Sequence, residues 1–405
     1  MHDLNGLPGN LIVAIQLVFS VYLLIPFVFY SFHVISKKMG LRERIHRMPV
    51  KTEHDFQFNI IITAHQEVAF INPLLDSLQK QTYKRFQAFV VADQIPLAVS
   101  FDAAQVKTLH PSGPLNSKID SIAFAMQHIE DPNSVVIILD ADNLLHPAYL
   151  QVMNKYFQKG YRVVQSDFKA KNSETPIALM DAVGDLYNFF VDREMRMELG
   201  FSSAIWGAGI AFERKLYEGI SYLDNLGGFD KKLQIHLATA VEKIAFAKEA
   251  VLYDEKIVDA AALQRQRTRW ISAQMKYMRQ NLKFFMRALF KLDFNRIYFG
   301  FANIRPPLFM TIGTAILFML LDIFWRPWLS LYWFVCLFIF VFGFILIVRL
   351  KTNEMRYKNA LQGLPQFLIS QVLASLQLGK AKKSFMKTTH HHPVYIDEVL
   401  SKNSN

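Results

Sequence analysis

The chain has 405 residues, 52% of them apolar with 35 Phe, and a formal net charge of +11, a length that points to one large domain with appended elements. A single cysteine, Cys336, excludes an internal disulfide and a cysteine-based zinc site. The basic residues gather beside apolar runs, which favours a membrane surface over nucleic acid as the partner.

Residues 10–32 carry no charge and are long enough to cross a bilayer, which takes about 20 residues. Lys37, Lys38, Arg42, Arg44 and Arg47 follow, whereas the other flank has neither Lys nor Arg. The next domain is therefore expected in the cytosol, and a cleaved signal peptide is not, since the basic flank is on the wrong side. From Phe56 the texture alternates: strands at 58–63, 86–91, 135–139 and 161–165, helices at 68–81 and 117–129, the latter with Lys118 in its first turn. This alternation predicts an α/β domain with a mostly parallel sheet and helices on both faces.

The apolar run 135–139 stops at Asp140, and strand alternation puts Asp140 and Asp142 on one side with Ala141 on the other. The C-terminal edge of an open α/β sheet is where such folds hold ligands. Two carboxylates there repel unless a divalent cation joins them, and Mg²⁺ takes one or two carboxylates together with substrate phosphates. The alternative is that Asp142 or Asn143 caps a helix starting near Pro147. Glu67 and Asp93 close the two preceding strands, so acidic residues converge on one edge.

A long amphipathic helix is predicted over 176–200. It leads to Trp206-Gly207-Ala208-Gly209, whose glycines either admit a ligand close to the backbone or form a tight turn before a strand at 210–212. Past Asp259, Gln266, Arg269 and Trp270 stand at i, i+3 and i+4 on one helical face. Such an Arg suits a diphosphate and such a Trp a sugar ring; an amphipathic helix with an interfacial Trp is the other reading. Residues 271–292 suit a helix on the membrane surface, and 306–324 and 329–348 are two further spans joined by an aromatic turn. Residues 364–378 read as an interfacial or re-entrant helix, and His390-His391-His392 is assigned no function.

Ala64-His65-Gln66-Glu67, Val90-Val91-Ala92-Asp93, Lys118, Asp140-Ala141-Asp142, Lys171-Asn172, Trp206-Gly207-Ala208-Gly209 and Gln266-Arg267-Thr268-Arg269-Trp270 occur in this order between apolar spans. The series resembles the membrane-integrated family 2 glycosyltransferases, the group of cellulose, chitin and hyaluronan synthases. That resemblance implies a GT-A fold and an inverting transfer from a nucleotide diphosphate sugar, taken as a UDP-sugar, to a membrane-associated glycan or lipid-linked acceptor. It implies Mg²⁺ or Mn²⁺ at Asp140 and Asp142, and a nucleotide side made of Ala64, Glu67, Asp93, Lys118 and Asp140. The acceptor side would be Gly207, Ala208, Gln266 and Trp270, with Arg269 on the leaving diphosphate. The implied layout is an N-terminal transmembrane helix at 1–36, a cytosolic GT-A domain at 50–275 and interfacial helices at 276–303. Two transmembrane helices at 304–350 and an interfacial helix with a basic cytosolic tail at 351–405 complete it. The membrane would be of the bacterial inner type, and a polymer channel would need partner membrane subunits or the helix at 364–378. One departure stands out. The family places a Thr-Glu-Asp, whose Asp is the general base, a few residues after Gly-Gly-Phe-Asp. Here Gly227-Gly228-Phe229-Asp230 is followed by Lys231-Lys232-Leu233 and Gln234-Ile235-His236. The base position thus holds His236, whose ordinary pKa of about 6.5 allows the role. Asp230 and Glu242 lie near, but their spacing does not match. The rival function is a nucleotide-sugar-binding scaffold that has lost its base.

Overall fold

The computed structural model describes residues 7–40, 50–66, 68–225, 227–363 and 393–404. Glu67, the basic residues from Arg42 to Arg47, the expected helix at 364–378 and the His390 triplet lie outside the described residues.

Three buried apolar strings form the centre of an eight-stranded sheet with order β3-β2-β1-β4-β7-β6-β8-β5. They are β1 (Phe58–His65), β2 (Phe86–Asp93) and β4 (Val135–Asp140). Their residues do not alternate in polarity because both faces are covered. Ile60, Ile62, Val90, Ile137 and Leu139 pack beneath helices α2 (Ile71–Gln79) and α4 (Tyr149–Gln158). Ile61, Phe89, Val91, Val136 and Ile138 belong to a second core with α3 (Lys118–Met126) on the other face. Each such side chain contributes about 1.5–3 kcal/mol by burial.

The sheet is mostly parallel, as expected, and mixed in that two of its eight strands are reversed. β1 runs parallel to β2 and β4, and β2 parallel to β3 (Val106–Leu109). β7 (Ile210–Glu213) then lies antiparallel to both β4 and β6 (Val163–Ala170). β8 (Ala245–Asp254) pairs parallel with β6 and antiparallel with β5 (Leu144–Leu145). The register sets His65 opposite Asp93 and Thr63 opposite Asp140, so the ends of β1, β2 and β4 form one polar edge.

Among the described residues, three helices are long and apolar enough to cross a membrane: α1 (Leu7–Lys38), α10 (Leu308–Trp325) and α11 (Pro327–Lys351). They pack through Leu23, Ala315, Trp333, Cys336 and Phe340. A buried polar chain joins all three: Trp333 Nε1 donates to Gln16 Oε1 at 2.7 Å, and Gln16 Nε2 donates to Asp322 at 3.4 Å.

The helix expected at 176–200 is interrupted. α5 (Pro176–Phe189) passes into a π-turn, Phe190–Glu194, and resumes as the single turn α6 (Met195–Glu198). Its charged residues reach toward each apolar helix. Glu198 meets His33 of α1 at 2.9 Å, Asp192 meets Arg305 just before α10 at 3.1 Å, and Glu194 meets Lys351 of α11 at 2.7 Å. Glu194 also takes Lys248 of β8 at 2.7 Å. Partly buried pairs of this kind cost about 3–5 kcal/mol to break from one side, so this segment ties the three helices to the sheet.

Candidate active site

Asp140 ends β4 with its side chain 42% exposed. Lys118 forms an ion pair with it, presented from the first position of α3, where Ser117 caps the helix by accepting from the Asp120 N–H at 3.2 Å. Thr63 Oγ1 stands 3.4 Å from the same carboxylate. Asp142 is 7% exposed, and its main-chain carbonyl accepts from Lys171 Nζ at 2.5 Å. Its charge is felt at Asp254, the end of β8, whose carboxyl is pushed up by burial and, in lesser part, by Asp142. The helix-cap alternative fails here. α4 starts at Tyr149 without a side-chain cap, and Asn143 Oδ1 instead accepts from the Asp140 N–H at 2.9 Å.

These hard carboxylate oxygens suit Mg²⁺ or Mn²⁺. No group of three or more His, Cys, Asp or Glu among the described residues forms a metal site. A cation on Asp140 and Asp142 would therefore take further ligands from a phosphate-bearing substrate or from water.

Beside this pair the edge is polar and conformationally strained. Asp93 is 1% exposed and accepts from the N–H groups of Leu115 and Asn116 at 2.8 and 2.9 Å and from His65 Nδ1 at 2.8 Å. It shapes the edge from within, and its carboxylate is not the open base contact that was expected. Ala64 likewise has its side chain in the core, leaving only its backbone for a nucleotide. What the edge exposes instead is a ladder of amides: Gln66 Nε2 donates to Gln94 Oε1 at 3.0 Å, and Gln94 Nε2 to Asn116 Oδ1 at 2.5 Å. All three residues have positive φ, 61°, 56° and 49°. Non-glycine residues held this way cluster at ligand sites, and nothing in their spacing marks them in the sequence.

On the other flank, Gly209 settles the turn. Its φ is +63°, and a Cβ there would meet Ser166 Oγ at 2.1 Å, so it serves the chain's own packing. Ala208 is buried, with its carbonyl accepting from Gln165 Nε2 at 3.1 Å, so its side chain does not line an acceptor site. At Gly207 a Cβ would only touch the Phe229 ring, at 3.6 Å. Trp206 stacks on Phe189 at 5.2 Å and meets Trp270 edge-on at 5.9 Å. Arg193, from the π-turn, lies over both Phe189 and Trp206 at 4.1 and 4.6 Å, and Arg267 lies over Trp270 at 4.7 Å. Two indoles thus stand braced by guanidinium groups. On α8 (Ala260–Phe290), Gln266 Oε1 has no hydrogen-bond partner. Burial lowers the Arg269 pKa, and the carboxylates of Asp140 and Asp230 oppose that shift. Arg269 therefore lies within electrostatic reach of both the strand edge and Asp230.

His236 is misplaced for a base. It lies on α7 (Phe229–Ala240), and its Nε2–H donates to the Leu216 carbonyl at 2.9 Å. Leu216 follows β7, whose last residue, Glu213, pairs with Val135 at the start of β4. At about 3.3 Å per residue, β4 separates that edge from Asp140 by roughly 17 Å. Glu242 lies past the end of α7, away from its first turn. Asp230 occupies that first turn, with Gly227 and Gly228 left-handed at φ 70° and 73° delivering the chain into it. The preceding Phe229 ring sits under Lys118 Nζ at 4.6 Å. Asp140 and Lys118 thus pair directly, and Arg269 feels the charge of both Asp140 and Asp230.

A mixed sheet with a polar strand edge and a carboxylate pair, flanked by an aromatic wall, defines a GT-A glycosyltransferase fold. Residues 54–273 match the family described as Glycosyltransferase like family 2, and the chain belongs to that family. Similar solved structures include the mannosyltransferase PcManGT from Pyrobaculum calidifontis, in complex with GDP-Man and Mn²⁺. It shares 14% identity over 88% of this chain and 99% of that one, with a TM-score of 0.51. TarS of S. aureus shares 12% identity over 80% of this chain and 55% of that one, with a TM-score of 0.39. At 14% identity the likeness to PcManGT is one of fold. No curated protein matches the sequence.

Proposed function

We propose that the chain is an inverting, membrane-integrated glycosyltransferase of the synthase type. It moves a sugar from a nucleotide diphosphate sugar, with a UDP-sugar as the working donor, to a glycan or lipid-linked acceptor at the membrane. The observation that carries this reading is the Lys118–Asp140 ion pair at the sheet edge, with Arg269 under the charge of both Asp140 and Asp230. PcManGT, the similar structure bound to GDP-Man and Mn²⁺, supports the donor class and the cation.

In this mechanism the amide ladder of Gln66, Gln94 and Asn116 faces the nucleoside, and Lys118 and Arg269 face the diphosphate. A cation held by Asp140 and Asp142 supplies charge neutralisation when bound. The acceptor ring lies against Trp270 and Trp206, placing its hydroxyl near Asp230. Asp230 takes the hydroxyl proton while that oxygen attacks the anomeric carbon from the face opposite the diphosphate. The C–O bond to the diphosphate breaks with its electron pair, and Arg269 stabilises the departing charge. Single displacement requires that an α-linked donor give a β-linked product. Proton NMR of the product's anomeric coupling tests this, and retention of configuration would exclude the scheme.

The catalytic domain is assigned to the cytosol from Lys37 and Lys38 at the end of α1 and Arg349 and Lys351 at the end of α11. In a Cys336→Ser background, single cysteines at Trp328 and Asn353 should label from opposite sides of sealed vesicles. Labelling of both from one side contradicts the orientation.

A further inference from the structure

Four cations surround the end of the last apolar helix: Arg349 and Lys351 of α11, and Arg356 and Lys358 of the short helix α12 (Met355–Ala360). Two are neutralised within the chain, Lys351 by Glu194 at 2.7 Å and Arg356 by Glu354 at 2.6 Å. Arg349 and Lys358 make no ion pair among the described residues, and both line a cavity of about 520 Å³ at the junction of α11 and α12. Its remaining wall divides by polarity into the amides of Asn359 and Gln362 and the apolar side chains of Ile345, Met355 and Leu361.

We propose that this cavity binds the phosphate headgroup of an anionic glycerophospholipid from the leaflet in which α11 ends. A guanidinium and an ammonium left without counter-charge call for an anion with several acceptor oxygens, and phosphate offers them. A small soluble anion would leave the apolar wall facing water, whereas a lipid covers it with its glycerol and upper acyl carbons. A zwitterionic headgroup would bring its own cation against Arg349 and Lys358. The neighbouring face of α12 packs on the catalytic domain, with Tyr357 and Ala360 against the core of Val183 and Tyr187 on α5. A bound lipid therefore holds α12 against the catalytic domain. The assignment does not depend on the donor or acceptor proposed above.

The test is native mass spectrometry of the full chain in detergent with phosphatidylglycerol, phosphatidylcholine and inorganic phosphate as separate probes. Phosphatidylglycerol should be retained at least about tenfold better than either other probe, given the contribution of each basic residue to anionic-lipid attraction. The double variant Arg349→Gln/Lys358→Gln should lose at least about tenfold in that affinity. Leu361→Trp, which fills the apolar wall and keeps both charges, should lose it as well, with an unchanged melting temperature reporting an intact fold. Lys283→Gln/Arg287→Gln, an exposed pair on α8, should behave as wild type. Wild-type retention by the cavity variants would overturn the proposal, as would an equal loss in the α8 pair, which would mean surface charge alone. Inorganic phosphate binding as tightly as the lipid would make this a soluble-anion site and overturn it too.

Discussion

Asp230→Asn should lower turnover by about two to four orders of magnitude, the usual worth of a positioned proton acceptor, while donor affinity changes little. Asn keeps the size and the place in the first turn of α7 but cannot take a proton. His236→Ala should stay within a fewfold of wild type in turnover. It should lose only the bond to the Leu216 carbonyl, about 1 kcal/mol of stability. The pair of variants separates the two candidate bases by initial rates at saturating donor. A His236→Ala enzyme as impaired as Asp230→Asn would return the base to His236.

Asp142→Asn should abolish the cation dependence of nucleotide diphosphate binding. Asp142 is the buried member of the pair, and its charge already bears on Asp254. Removing it takes away a ligand rather than a supporting partner. The loss of metal affinity should therefore exceed the roughly 10- to 100-fold that an outer-shell partner is worth. Calorimetry of a nucleotide diphosphate with Mn²⁺ and then with chelator reads this directly. Wild-type affinity unchanged by chelator would remove the metal from Asp140 and Asp142.

Much of this was legible in the residues, for reasons of locality. β1, β2 and β4 are continuous apolar strings, and Asp140, Asp142, Lys118, Arg269 and Trp270 are placed by their own strand end or helix face. β3 and β5 are too short to show a period. β8 carries the exposed Lys248-Glu249 where its pairing with β6 shifts register, which breaks its apolar run. The reversal at β7 depends on pairing across distant segments, which no local pattern encodes. Counting onward from Gly-Gly-Phe-Asp to His236 presumes a loop before the base. In the fold α7 begins at Phe229 itself, so the helix start occupies the site and the residues six positions on face the opposite edge. Gln66 was visible only as part of its motif, and Gln94, Asn116 and the π-turn at Arg193 were invisible, since left-handed backbone at non-glycine residues and a π-turn inside a helix leave no compositional mark.

The central claim is that this edge transfers sugar with Asp230 as base and a cation on the aspartate pair. It is tested most directly by incubating the purified full chain with a panel of nucleotide diphosphate sugars and measuring nucleotide diphosphate release. Wild type and Asp230→Asn are compared, each with Mn²⁺ or Mg²⁺ and with chelator. The expected result is turnover of at least one donor by wild type, lost in chelator and at least about a hundredfold lower in Asp230→Asn. Donor binding without turnover in wild type, or equal turnover by the two proteins, would contradict it.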